Sequence, residues 1–219
     1  MFFNRDELKT RAQAVPPQLR QTQTGVRYLA PSDPVAGGTW MLVNEQQVTV
    51  CLLNRWHESS AHKQAYQSRG LLVSGMAGCS SAIDVMHLLQ QTDYAHYRPF
   101  TLVALDPNNI LAAAWNGEIL TDEVTAMPLT SSSYRFPEVA AARRITFSNL
   151  PEPSLDHLQT YQQGESPASA YTVRMNRPDA QTWSRSQISV SAEHITWEYI
   201  EEPADLIGTG TKHMMELPL

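Results

Sequence analysis

The order of hydrophobic periodicities constrains this chain most. Strand-like alternation comes in consecutive runs, helix-like spacing comes in pairs, and the two do not alternate one for one. Residues 39–43 and 48–53 alternate around a turn at Asn44-Glu45-Gln46-Gln47, which predicts a β-hairpin. Two helices follow. The first starts at Ser68, with Leu71, Leu72, Val73 and Met76 on its apolar side. The second carries Ile83, Val85, Met86, Leu88 and Leu89 behind a cap at Ser80 or Ser81. Residues 100–105, 110–115 and 118–121 then read as three antiparallel strands. They are joined by Asp106-Pro107-Asn108-Asn109 and by Asn116-Gly117, the latter a strong two-residue hairpin signal. A helix over 137–150 with Pro137 near its start and a shorter one over 154–162 capped by Ser154 come next. Strands at 169–174, 182–190 and 194–199 close the series. Segregated strands and helices define an α+β domain, because parallel βαβ units would alternate them.

Two regions lack such patterning. Residues 8–38 hold Pro16-Pro17, Pro31, Pro34, Gly25, Gly37 and Gly38, and read as a long surface loop. The Gly-rich stretch 203–219 reads as a flexible tail. A single domain over 1–219 accounts for the whole length of 219 residues. Sixteen basic residues against 22 acidic ones give a net charge of −6, and no basic run exceeds Arg143-Arg144. That argues against a nucleic-acid surface, which needs a basic stripe. No apolar stretch approaches the roughly 20 residues of a membrane span. Charges begin by Arg5, so no signal peptide is expected, and two cysteines form no disulfide framework. A cytoplasmic location is the simplest expectation.

Four short blocks stand out from this background: Asn4-Arg5-Asp6-Glu7, Ala36-Gly37-Gly38-Thr39-Trp40, Leu52-Leu53-Asn54-Arg55 and Ser68-Arg69-Gly70-Leu71-Leu72. Charges clustered at the end of an apolar strand are costly unless paired or used. Together the blocks resemble the NRDE family, also called the Transport and Golgi organisation 2 family. The resemblance is strong through about residue 75. It weakens afterwards, with a second patch at Met175-Asn176-Arg177-Pro178-Asp179-Ala180. It implies the four-layer αββα sandwich of N-terminal-nucleophile hydrolases, in which the first residue of the chain is catalytic. The α-amino group of that residue serves as base for its own side chain, since it titrates at roughly 7.7–8.0. Family members usually begin Met-Cys, with a strand and hairpin before the NRDE block. Here only Met1-Phe2-Phe3 precede it, so the chain as given is expected to lack the first strand and its nucleophile and to be inactive by that route. An edge left open beside residues 1–5 would favour a homo-oligomer.

By the same resemblance Arg5, Asp6, Asn54 and Ser132 are candidate catalytic-site residues, and Asn4, Trp40 and Arg69 candidate substrate-binding ones. In related hydrolases an Arg and an Asp after the second strand hold the nucleophile. Physically, an Arg lowers a nearby thiol pKa and a carboxylate positions the amine. The alternative is an Arg5–Asp6 or Arg5–Glu7 pair that anchors the start of the loop. Asn54, at a strand end, is either an oxyanion donor or a turn starter. Asn44 either faces the pocket or is simply a turn residue. Trp40 lines a pocket or joins the core. Arg69 grips a carboxylate or a helix start. Where the family often has Ser-Asn, this chain has Thr130-Ser131-Ser132-Ser133. Ser132 is then a weaker donor, or the run is a capping loop.

Cys51, inside an apolar strand, reads as an inert thiol. Cys79 precedes a helix, which is able to lower its pKa. No spacing of His57, His62, His87, His96, His157, His194 and His213 matches a metal site. No cofactor is required, and haem enters only through the resemblance, because eukaryotic family members are linked to haem trafficking and lipid handling. Two functions from different classes follow: a hydrolase of a carbon–nitrogen amide bond, or a non-catalytic carrier of haem or an acyl lipid. The partner in either case is a small or lipid-like molecule.

Overall fold

A computed structural model of the chain describes residues 1–56, 66–123, 127–152 and 154–219. Their contacts divide into two units. The first comprises Met1–Gln13, Met127–Ser191 and Thr196–Glu216; the second comprises Ala14–Ala126, Ala192–Ile195 and Leu217–Leu219. The fold is α+β, with two antiparallel sheets, and helices lie against each of them. The α+β class that the family blocks imply is present, as two helix-backed antiparallel sheets.

The second unit is built around seven strands in sequence order: β2 (Val15–Gln21), β3 (Arg27–Ser32), β4 (Met41–Asn44), β5 (Thr49–Asn54), β6 (Phe100–Leu105), β7 (Ile110–Trp115) and β8 (Leu120–Asp122). The expected hairpin at 39–53 is β4–β5, with Val43 opposite Thr49 and Met41 opposite Cys51. Val50 is 0% exposed and Cys51 5%, so this hairpin is central to the core. Helices α1 (Arg69–Gly75) and α2 (Ala82–Gln90) cover one face, where Leu72, Val73, Met76, Val85 and Leu89 meet Leu42, Val50, Leu52, Phe100 and Leu102. Ser81, one of the two serines expected to cap the second helix, does so, and Ser68, where the first helix is expected to start, is its N-cap. Leu71, placed on the apolar side by its spacing, is instead 47% exposed. Ile83 and Leu88 of α2 also face outward.

Residues 8–38, read as a loop, contain β2 and β3, which is a correction. Pro16 and Pro17 are tolerated because β2 is the edge strand of its sheet and its pairing with β3 skips them, passing through an irregularity from Val15–Ser32 to Gln18–Ala30. The turn between β2 and β3 uses Gly25 at φ 93°.

The first unit holds a four-stranded sheet in the order β1 (Phe2–Leu8), β9 (Ala180–Val190), β10 (His194–Glu201) and β11 (Thr211–Pro218). Strand β11 corrects the expectation of a flexible tail. Helices α3 (Phe136–Ser148) and α4 (Leu155–Gln163) pack together through Phe147 and Tyr161, and α4 lies on β1. Residues 169–174, expected as a strand, run as successive bends. Their carbonyls are taken by side chains instead of a neighbouring strand: Thr172 O by Arg143 Nε at 3.1 Å, and Val173 O by Asn4 Nδ2 at 3.1 Å.

Candidate functional site

The NRDE block lies inside β1, and strand alternation divides its four side chains between two faces. Arg5 opposes Ser184 in β9 while Asp6 opposes Thr182, which leaves Trp183 as an extra residue, a β-bulge. The bulge keeps Thr182 beside Asp6 although Ser184 stands beside Arg5.

Asn4 and Asp6 face the helices. Asn4 Nδ2 donates to Gln162 O at the end of α4 (3.1 Å) and to Val173 O. Its Oδ1 is buried without a partner among the described residues. Asp6 Oδ1 accepts from Thr182 Oγ1 at 2.6 Å, and its Oδ2 pairs with Arg143 Nη2 of α3 at 3.4 Å. Burial pushes the Asp6 carboxyl up from its ordinary value. The charge of Arg143, the Thr182 hydroxyl and the charge of Arg177 pull against it. Arg143 has an 8% exposed side chain and also reaches Thr130 Oγ1 at 3.4 Å. Arg177 donates to Ser133 Oγ at 3.2 Å. Two arginines thus bring the serine loop to the NRDE aspartate, which neither residue's position in the sequence reveals.

Arg5 and Glu7 project to the opposite face. Arg5 is 8% exposed, and its Nη2 lies 3.4 Å from Glu7 Oε2. Tyr199 of β10 is near enough that the positive charge of Arg5 opposes the rise that burial imposes on its phenol. The Arg5–Glu7 pair matches the anchoring alternative. It leaves a buried cation on the sheet face turned away from α4.

Ser132 turns inward on its own loop: its Oγ donates to Tyr134 O at 2.7 Å and accepts from Tyr134 N at 3.0 Å. The serines do not cap α3. Its N-cap is Arg135 at φ 39°, with no side-chain cap, so the capping expectation fails.

Asn54, Trp40 and Arg69 belong to the second unit. Pro99 O accepts from Arg55 N (3.1 Å) and Arg69 Nη1 (2.7 Å), which joins the Leu52-Leu53-Asn54-Arg55 block to the start of α1. Asn54 is half-buried as the last residue of β5, opposite Phe100. Trp40 is half-buried, and its carbonyl accepts from Leu52 N. Thr39 N donates to Gly70 O at 3.1 Å, and a Cβ on Gly38 would lie 2.4 Å from the carbonyl carbon of Gly70. The two glycines therefore mark a close backbone crossing. Asn44 is 0% exposed. It donates to Ala77 O and Cys79 O and accepts from Gln46 N and Val48 N, so its turn role uses all of its bonding capacity.

Burial pushes the Cys51 thiol up to about 12. Cys79 is also raised, by burial and by Asp84, which overturns the expectation of a helix-lowered thiol. His57 and His62 lie outside the described residues. Among the described residues no group of three or more His, Cys, Asp or Glu side chains is placed to hold a metal, and no helix is long and apolar enough to cross a membrane.

The site defines an α+β protein whose charged first strand is pinned by one helix pair and carries a buried arginine on its other face. The chain belongs to the Transport and Golgi organisation 2 family, whose model matches residues 1–197. No curated protein matches it. Among solved structures it is similar to penicillin V acylase from Agrobacterium tumefaciens, at 13% identity and a TM-score of 0.47, covering 92% of this chain and 81% of that one.

Proposed function

We propose that the protein hydrolyses a carbon–nitrogen amide bond, water supplying the hydroxyl of the released acid and the proton of the released amine, with Arg5 as the cation that receives the acyl oxygen or a carboxylate of the substrate. The burial of Arg5 on the face of β1 turned away from α4 carries this reading. A guanidinium withdrawn from water interacts strongly with developing negative charge on a carbonyl oxygen. Asp6, on the other face, acts as a positioning residue: it ties β1 to α3 and to Thr182 and so fixes where Arg5 stands. The test is to incubate the protein with a panel of N-acyl amides and quantify free amine with an amine-reactive fluorophore. Amine release that falls sharply in Arg5→Met supports the reading, and its absence across the panel overturns it.

One observation favours the second reading, a non-catalytic carrier. Both cysteines belong to the second unit, and both thiols are raised, so neither is a ready nucleophile at neutral pH. Haem carries carboxylates, and so does the free fatty acid of an acyl lipid, which a buried Arg5 would hold. Haemin or fatty-acid titration followed by absorbance or fluorescence distinguishes this reading when no amine appears. Two free cysteines favour the cytoplasm as the place of action.

A further inference from the structure

The block Met175-Asn176-Arg177-Pro178-Asp179-Ala180 contributes a side chain that the amide reading does not use. The Arg177 side chain is 10% exposed. Its Nη2 donates to Ser133 Oγ at 3.2 Å and to Asp179 Oδ2 at 3.1 Å. Its Nε is buried and has no partner among the described residues. Nε–H and one N–H of Nη2 lie parallel on the same edge of the planar guanidinium, the edge that takes two oxygens of one carboxylate side by side. Half of that fork is therefore engaged and half is empty.

The surroundings suit a small carboxylate. The guanidinium carbon of Arg177 stands 5.9 Å from the centre of the Tyr134 ring, and that of Arg135 stands 5.7 Å from the same centre. Tyr134 is 40% exposed, so solvent reaches this ring. Ser133, already bonded to Arg177, offers a hydroxyl beside the fork. The present carboxylate contact is a weak one: the Asp179 side chain is 61% exposed and engages Nη2 through a single oxygen. Ion pairs with an exposed partner contribute little to stability.

We propose that the Nε–Nη2 edge of Arg177 is a binding fork for the carboxylate of a small ligand, with Ser133 beside it and Asp179 as a displaceable placeholder. A ligand carboxylate takes both N–H groups at once and releases Asp179 to water. This site lies on the serine loop and is independent of the role assigned to Arg5.

The test observes the fork directly. Arginine side-chain Nε–H signals are recorded by NMR on nitrogen-15-labelled protein during titration with acetate at constant ionic strength, with chloride and inorganic phosphate as separate arms. The Arg177 signal is assigned by its loss in Arg177→Lys. It is expected to shift saturably with acetate, and the midpoint is expected to fall at least about fivefold in Asp179→Asn, where the placeholder no longer competes as an anion. Asp179 is exposed, so that variant keeps the test valid even if Arg177→Lys does not fold. A signal that acetate leaves unmoved in both wild type and Asp179→Asn overturns the proposal. A shift that chloride reproduces, or a tighter response to phosphate than to acetate, also overturns it.

Discussion

Gly38 and Gly70 show what a family block means when a structural reason is attached to it. Their backbones cross so closely that a side chain on Gly38 would have to occupy the space of the Gly70 carbonyl carbon. Gly38→Ala is expected to cost about 3 kcal/mol, because backbone, unlike a flexible side chain, has to move; urea unfolding measures it, and an unchanged midpoint contradicts the crossing. Asp106, legible in sequence as the first residue of a turn, also holds the start of a helix. In the turn between β6 and β7, it accepts from Ala82 N at the start of α2 and from Asn108 N and Asn109 N. Burial raises its carboxyl, but these donors outweigh burial and hold it below its ordinary 3.8. Its contribution to stability is therefore complete above that value and is lost as pH falls through the lower folded value. Between pH 5 and pH 2.5, wild type should lose more stability than Asp106→Asn, which has no charge to lose. Equal losses would contradict the assignment.

At the scale of elements, the sequence was most legible where a local signal coincided with the tertiary one. Ser81 and Ser154 cap their helices, Asn116-Gly117 closes β7 on β8, and the hairpin at 39–53 is present and buried. Strands β2 and β11 were not legible, because edge strands carry prolines and exposed polar residues that resemble loop. Residues 169–174 failed in the opposite sense. They have strand-like composition, but their carbonyls serve Arg143 and Asn4, a partnership no local pattern encodes. Arg143 was missed for the same reason: it stands in a doublet of arginines on a helix, and only the fold shows that it is buried and Arg144 is not. Because Arg143 joins Asp6, Thr130 and Thr172, Arg143→Met should leave a partly buried carboxylate unpaired and cost about 3 kcal/mol. Hydrogen exchange should quicken in both β1 and α3. Exchange that quickens in α3 alone would show that Asp6 does not depend on Arg143.

At the scale of the whole molecule, the NRDE block performs two tasks with alternate residues. Asn4 and Asp6 bind the first strand to its helices, while Arg5 and Glu7 stand on the other face with Arg5 buried. The resemblance joins Arg5 and Asp6 as one constellation; strand alternation separates them, placing Arg5 with Glu7 on one face and Asp6 with Arg143 on the other. The most direct test is amine release from N-acyl amides by wild type, Arg5→Met and Asp6→Asn, with melting temperatures measured in parallel. Wild type is expected to release amine and Arg5→Met to lose about 100-fold of that rate, the scale of removing one donor to a developing oxyanion. The melting temperature of Arg5→Met should also fall, because Glu7 loses its partner, so release is compared at a temperature where both proteins are folded. Asp6→Asn should lower the melting temperature first and the activity only in consequence. Release that persists undiminished in Arg5→Met, or no release from any amide by wild type, would contradict the role proposed for Arg5.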